Sequence, residues 1–173
     1  IRAELHRAAT TDALTGLPNR RTIAERAGVL LALARAGEQP FSVAVVDVDH
    51  FKAINDQHGH DVGDLVLQAV AATLRAQCRG DEVVGRQGGE EFVALLPEAD
   101  GASARLAAER MRAAVEGQSM TVGPATALRV TISIGIASTT SERLPSFDTL
   151  LKRADMALYD AKANGRNRVC AAS

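Results

Sequence analysis

Residues Arg86 to Pro97 read RQGGEEFVALLP, two glycines running into two glutamates and then into an apolar segment. Gly-Gly between strand-like segments is a hairpin signal, because glycine reaches the positive φ that tight turns need. DEVVGRQ before the glycines and EFVALLP after them are the two arms. A turn that only reversed the chain has no use for Glu90 and Glu91 side by side at the foot of a buried strand. Adjacent carboxylates repel, and carboxylates against apolar packing lose hydration. The stretch calls for a cation beside it.

Working outward, FSVAVVDVDH (41–50) is an apolar, β-branched run with the pattern of a buried strand. A short helical piece, FKAINDQHG, and an amphipathic helix, DVGDLVLQAVAATLRAQC, join it to the hairpin. Beyond the hairpin, GASARLAAERMRAAVEG is helical by its Ala, Arg and Leu content. LRVTISIGIAST reads as one further strand with a short partner near SMTV, and FDTLLKRADMALYDAKANG as a final helix closed by Gly165. NRVCAA is a last short strand, and Asn19 is a good N-cap for an early helix over 20–37 that Gly37 stops. No repeat or low-complexity segment interrupts this order.

The core order is therefore βαββαβ, an α+β, ferredoxin-like arrangement with a mixed sheet flanked by helices. In it the first two strands are parallel, and the third lies between them, antiparallel to both. The Gly88-Gly89-Glu90-Glu91 turn then falls at the same sheet edge as Asp47 and Asp49. Carboxylates converging on one edge repel unless a cation sits among them. All-oxygen donors suit a hard ion such as Mg²⁺, which normally shares its shell with phosphate oxygens. A paired-ion arrangement is common for displacement at phosphorus. Taken singly, Gly-Gly is more often just a turn, and Asp47 and Asp49 are equally good helix caps. The topology that joins them carries the inference.

Lys52, Asn55 and Asp64 follow the first strand on short helical pieces. Amide and carboxylate together can read a guanine edge, although acids in a first helical turn are favoured anyway. Lys162 and Arg166, four apart at the end of the last helix, either complement its dipole or clamp a triphosphate.

Composition narrows the function further. The chain has 173 residues, one domain's worth, with 20 Lys plus Arg against 21 Asp plus Glu and a net charge of −1. No polyanion-coating surface is expected, and with one Tyr, four Phe and no Trp there is little to stack on single-stranded nucleic acid. Cys78 and Cys170 lack metal-type spacing and suit a reducing cytoplasm. No apolar run reaches the ~20 residues of a membrane span, and no signal peptide opens the chain. The sequence begins at Ile1 within a helical pattern, IRAELHRAA. That predicts a leader over 1–9, continuing an upstream sensor or regulatory region that could attach the full-length protein to a membrane, and a domain over 10–173.

Taken together, DALTGLPNRR (12–21), DVDHFKAINDQHGHDVGD (47–64), GRQGGEEF (85–92), VTISIGIA (130–137) and ADMALYDAKANGRNRV (154–169) resemble the GGDEF domain of bacterial diguanylate cyclases, here in a GGEEF variant. The resemblance implies a core sheet similar to polymerase palms and nucleotide cyclases. It implies condensation of two GTP into cyclic di-GMP with release of two pyrophosphates. It assigns Asp47, Val48, Glu90 and Glu91 to metal binding, with two Mg²⁺ (Mn²⁺ as the alternative) per active site, and makes Glu90 the base for the ribose 3′-hydroxyl. Gly88 and Gly89 would pass under phosphates and ribose. Asn55 and Asp64 match guanine contacts, while Phe51, Lys52, His60, Lys162 and Arg166 match further substrate positions, most of them near the phosphates.

One domain holds one GTP, so the resemblance further implies a transient homodimer with two antiparallel active sites. Family members often carry an inhibitory Arg-x-x-Asp, which binds product, before the signature. Here the segment is Arg79-Gly80-Asp81-Glu82, and the extra methylene of Glu82 displaces its carboxylate by about 1.5 Å. That predicts an impaired inhibitory site. The competing readings are a catalytically silent module that binds GTP or cyclic di-GMP, and a cyclase making a 3′,5′-cyclic mononucleotide.

Overall fold

The structure, a computed structural model, describes residues 1–140 and 145–173. In chain order the elements are α1 (Arg2–Thr10), α2 (Arg20–Gly37), β1 (Phe41–Val48), α3 (Phe51–His58), α4 (His60–Gln77), β2 (Val83–Gly88) and β3 (Glu91–Pro97). They continue with α5 (Gly101–Glu116), β4 (Met120–Gly123), β5 (Thr126–Leu128), β6 (Ile132–Ser138), α6 (Phe147–Ala163) and β7 (Val169–Ala171). No helix among the described residues is long and apolar enough to cross a membrane.

The main sheet has the order β2-β3-β1-β6-β7. β3 is antiparallel to both β1 and β2, which makes those two parallel, as the element order predicts. β6 flanks β1 on its other side, antiparallel, and β7 adds to β6 in parallel. All eight residues of β1 are buried, because helices cover both faces of the sheet. Alternate side chains serve two cores. Ala44, Val46 and Val48 pack with α4 and α5, whereas Val43 and Val45 pack with α2 and α6.

Two local expectations need correction. The segment read as one strand over 128–139 divides. Leu128 closes β5, which pairs with Met120 of β4 in a separate two-stranded sheet, and β6 starts only at Ile132. The apolar pattern is continuous across 130–132, so periodicity alone does not show the break. In α2, Asn19 caps as expected by accepting from the Thr22 amide, but Gly37 is the last helical residue and Glu38 takes the left-handed position at φ 52°.

Gly135 sets the distance of α6 from the sheet. A Cβ there would stand 2.1 Å from the Ala154 carbonyl oxygen and 2.2 Å from the Leu158 nitrogen. Helix backbone lies directly on strand backbone, and this contact carries the C-terminal end of α6 to the end of β1.

Candidate active site

Strand register assembles the acid edge. Asp47 is the direct partner of Glu91 across β1 and β3, and the Val48 amide donates to the Glu90 carbonyl at 3.3 Å. The turn between β2 and β3 needs its glycines for conformation, since Gly88 and Gly89 have φ of 151° and 52°. A Cβ at either would meet nothing within 4 Å, so the space over the turn is open.

Asp47 is 7% exposed, and its Oδ2 accepts from Lys162 Nζ at 2.8 Å. Lys162 is thus a cation of the kind the sequence calls for, placed directly on a metal-ligand candidate. Burial pushes the Asp47 carboxyl above the ordinary range; Lys162 opposes this, and the charges of Glu90 and Asp49 add to it. Glu91 is also raised, first by burial, then by Asp155 and Asp47. Asp155 on α6, which the sequence reading missed, is raised by desolvation against the pull of Lys162. Only its spacing of seven before Lys162, two turns along one helix face, hints at its place.

Asp49 does not join the acid cluster, contrary to expectation. Its Oδ1 accepts from Ser133 Oγ at 2.6 Å, and its Oδ2 from Thr131 Oγ1 at 2.6 Å and the Asn167 amide at 3.0 Å. Those donors satisfy both its oxygens without an ion. Among the described residues, no three His, Cys, Asp or Glu side chains gather closely enough to form a metal cluster by themselves. The remaining set fits a hard dication by chemistry. It is all oxygen, with two carboxyls held above their ordinary range by burial and mutual repulsion.

Beyond β1, Gly59 at φ 89° separates α3 from α4. Asn55 and Asp64 sit on facing helices, Asp64 exposed and Asn55 half-buried. Asn55 Oδ1 is buried with no hydrogen-bond donor and lies 1.9 Å from where a Gly63 Cβ would be. Phe51 packs partly into the core beside Gly63, Lys52 pairs loosely with Asp56 at 3.9 Å, and His60 is exposed at the start of α4. Arg166 is exposed, in a left-handed conformation at φ 64°.

Arg86 is a further residue the sequence reading did not single out. Its Nη1 donates to both carboxylate oxygens of Asp12 at 3.1 and 3.2 Å, and its Nε and Nη2 donate to the Gly89 carbonyl at 3.1 and 2.8 Å. The signature turn is thereby tied to the strap between α1 and α2. At the predicted inhibitory site, Glu82 Oε2 accepts from the Arg79 amide and from Arg110, both at 2.9 Å. A surface cavity of about 560 Å³ between this turn and α2 is lined by Val29, Leu30, Leu33 and Glu82 among others.

A palm-like cyclase sheet with paired acids under a glycine turn defines the class. A family model described as "Diguanylate cyclase, GGDEF domain" matches residues 9–168, and the chain belongs to that family. It is 45% identical over 162 residues to the response regulator PleD of Caulobacter vibrioides, covering 93% of this chain and 36% of PleD. It is likewise 45% identical to the diguanylate cyclase DgcM of Escherichia coli, covering 99% of this chain and 40% of DgcM. The chain therefore spans well under half the length of these relatives. Among solved structures it is similar to the coiled coil and GGDEF domain of DgcB from Caulobacter crescentus in complex with c-di-GMP, with TM-score 0.89, 33% identity, and coverage of 99% of this chain and 90% of that one. The active GGEEF domain of a Vibrio cholerae diguanylate cyclase gives TM-score 0.83 at 33% identity, over 91% and 98%.

Proposed function

We propose that the chain is a diguanylate cyclase that joins two GTP into cyclic di-GMP across two antiparallel domains. The observation that carries this is the register placing Asp47 against Glu91 beneath an open glycine turn. Asp47, the Val48 carbonyl, Glu90 and Glu91 would hold Mg²⁺. When bound, the metal lowers the pKa of the attacking hydroxyl and neutralises pyrophosphate. Glu90 takes the 3′-hydroxyl proton. The 3′-oxygen bonds to the α-phosphorus of the facing GTP, the bond to pyrophosphate breaks, and the same exchange on the other side closes the ring. Lys162, on its flexible stem, moves from Asp47 to the phosphates, where Arg166, Lys52, Phe51 and His60 complete the wall. Asn55 and Asp64 hold guanine. Much of the rate comes from positioning, worth up to about 7–11 kcal/mol where alignment is good.

The relatives' greater length supports an upstream region that sets the dimer, and a GTP substrate supports a cytoplasmic location. Product would inhibit by occupying the substrate site, because Glu82 is already engaged by Arg110 and the Arg79 amide.

Incubating the chain with GTP and Mg²⁺ and identifying the product by mass tests the reading. Cyclic di-GMP is expected. A 3′,5′-cyclic GMP product would assign a mononucleotide cyclase, and GTP bound but unchanged would assign a regulatory module.

A further inference from the structure

The turn after α6 is strained. Gly165, Arg166 and Asn167 have φ of 120°, 64° and 46° in succession, and two of the three are not glycine. Left-handed residues with side chains are sparsely populated and persist only where surroundings over-determine them. Here the surroundings do. The Asn167 amide donates to Asp49, its Oδ1 accepts from Arg112 at 2.8 Å, and its Nδ2 donates to Glu116. Arg112 is itself fixed by Glu109 at 3.0 Å and Glu116 at 2.8 Å. Asp49 is 4% exposed and spends both oxygens on hydroxyls and this one amide.

The end of α6 is thus fastened to the end of β1 at two points, Lys162 to Asp47 and Asn167 to Asp49, with Arg166 between them in the chain. We propose that Asn167 and Asp49, backed by Arg112 and Glu116, are positioning residues that hold Arg166 over the acid edge for the triphosphate. This rests on the GTP reading above. None of the four touches substrate. They act through the direction in which the Arg166 backbone is held, at φ 64°.

The test is a double-mutant cycle on GTP affinity in Mg²⁺, measured by direct binding titration, with turnover followed in parallel. Asn167→Ala should weaken GTP binding about tenfold, the scale of one lost charge-assisted contact. It should do almost nothing further in an Arg166→Ala background. Losses that multiply would overturn the proposal, because a merely structural Asn167 acts independently of Arg166. Arg112→Met serves as a second probe of the brace if Asn167→Ala fails to fold, with the same non-additivity expected. A parent chain that binds GTP without turning it over would sink the enzymatic reading alone, and the cycle would still judge the brace. A parent that binds no GTP sinks both.

Discussion

Glu90 and Gly63 show what single residues do here. Glu90→Gln keeps volume and the backbone bond from its carbonyl to the Val48 amide, while removing a charge from the acid edge. Activity should disappear with the melting temperature unchanged or slightly higher, because like charges at this edge oppose folding. Cyclic di-GMP formation at the wild-type rate by a folded Glu90→Gln chain would refute its assignment as metal ligand and base. Gly63 works by clearance. In a helix interior, Gly→Ala ordinarily stabilises by about 1 kcal/mol, yet a methyl here stands 1.9 Å from Asn55 Oδ1 and 3.2 Å from Phe51 Cζ. Asn55 must turn aside. Gly63→Ala is expected to leave circular dichroism intact and to raise the KM for GTP about tenfold, the scale of a lost polar contact to the base. An unchanged KM would show that Asn55 does not hold guanine.

At the scale of elements, the Arg86 clamp joins parts distant in sequence. The α1 end is gripped by Asn19 Nδ2 on the Ala9 carbonyl and Thr22 Oγ1 on the Thr10 carbonyl. The strap that follows bridges Thr11 to Pro18 and presents Asp12 to Arg86, which holds the Gly89 carbonyl. Arg86→Ala should lower kcat more than it raises KM, since the turn loses its fixed height while the guanine contacts stay. Asp12 supplies a pH signature. Burial disfavours its charge, but hydrogen bonds from the Thr15 side chain and amide, then Arg86, outweigh that and hold its carboxyl below the ordinary aspartate range. A depressed carboxyl contributes stability that is present above its unfolded pKa and lost as pH falls through its folded one. The stability gap between the parent and Asp12→Asn should thus be full at neutral pH and close in acid, below about pH 4. A gap independent of pH would show that the clamp does not depend on the charge. Most elements were legible because each carries its own period and cap, as Asn19 and the FSVAVVDV run show. The fate of Asp49 was not, because Thr131, Ser133 and Asn167 reach it only through the crossing of β1, β6 and the turn after α6. The division of 128–139 was hidden for the complementary reason, that both pieces are apolar and only pairing separates them.

For the whole molecule the proposed reaction turns on encounter between two copies. On the proposed reading, one acid edge and one pair of guanine contacts serve one GTP, so the product would need a second domain facing the first. α1 contributes no buried residue, with Ile1 94% and Leu5 65% exposed. At nine residues it is shorter than the ~12–15 at which isolated helices become marginally stable, so by itself it gives little hold for a lasting parallel pair. Specific activity of this chain should therefore rise with its own concentration, approaching first-order dependence in the dilute limit. Fusing a parallel leucine zipper ahead of Ile1 should raise activity at low concentration by supplying a high effective concentration of the partner domain. The gain should depend on phase, because the end of α1 is bonded to Asn19 and Thr22 and the strap that follows it presents Asp12 to Arg86. Inserting one to three residues between zipper and Ile1 should make activity oscillate with the helical period rather than decline steadily. Activity per domain that stays flat across a hundredfold dilution, with no response to the zipper, would mean that the domains pair through some other surface or that one domain suffices.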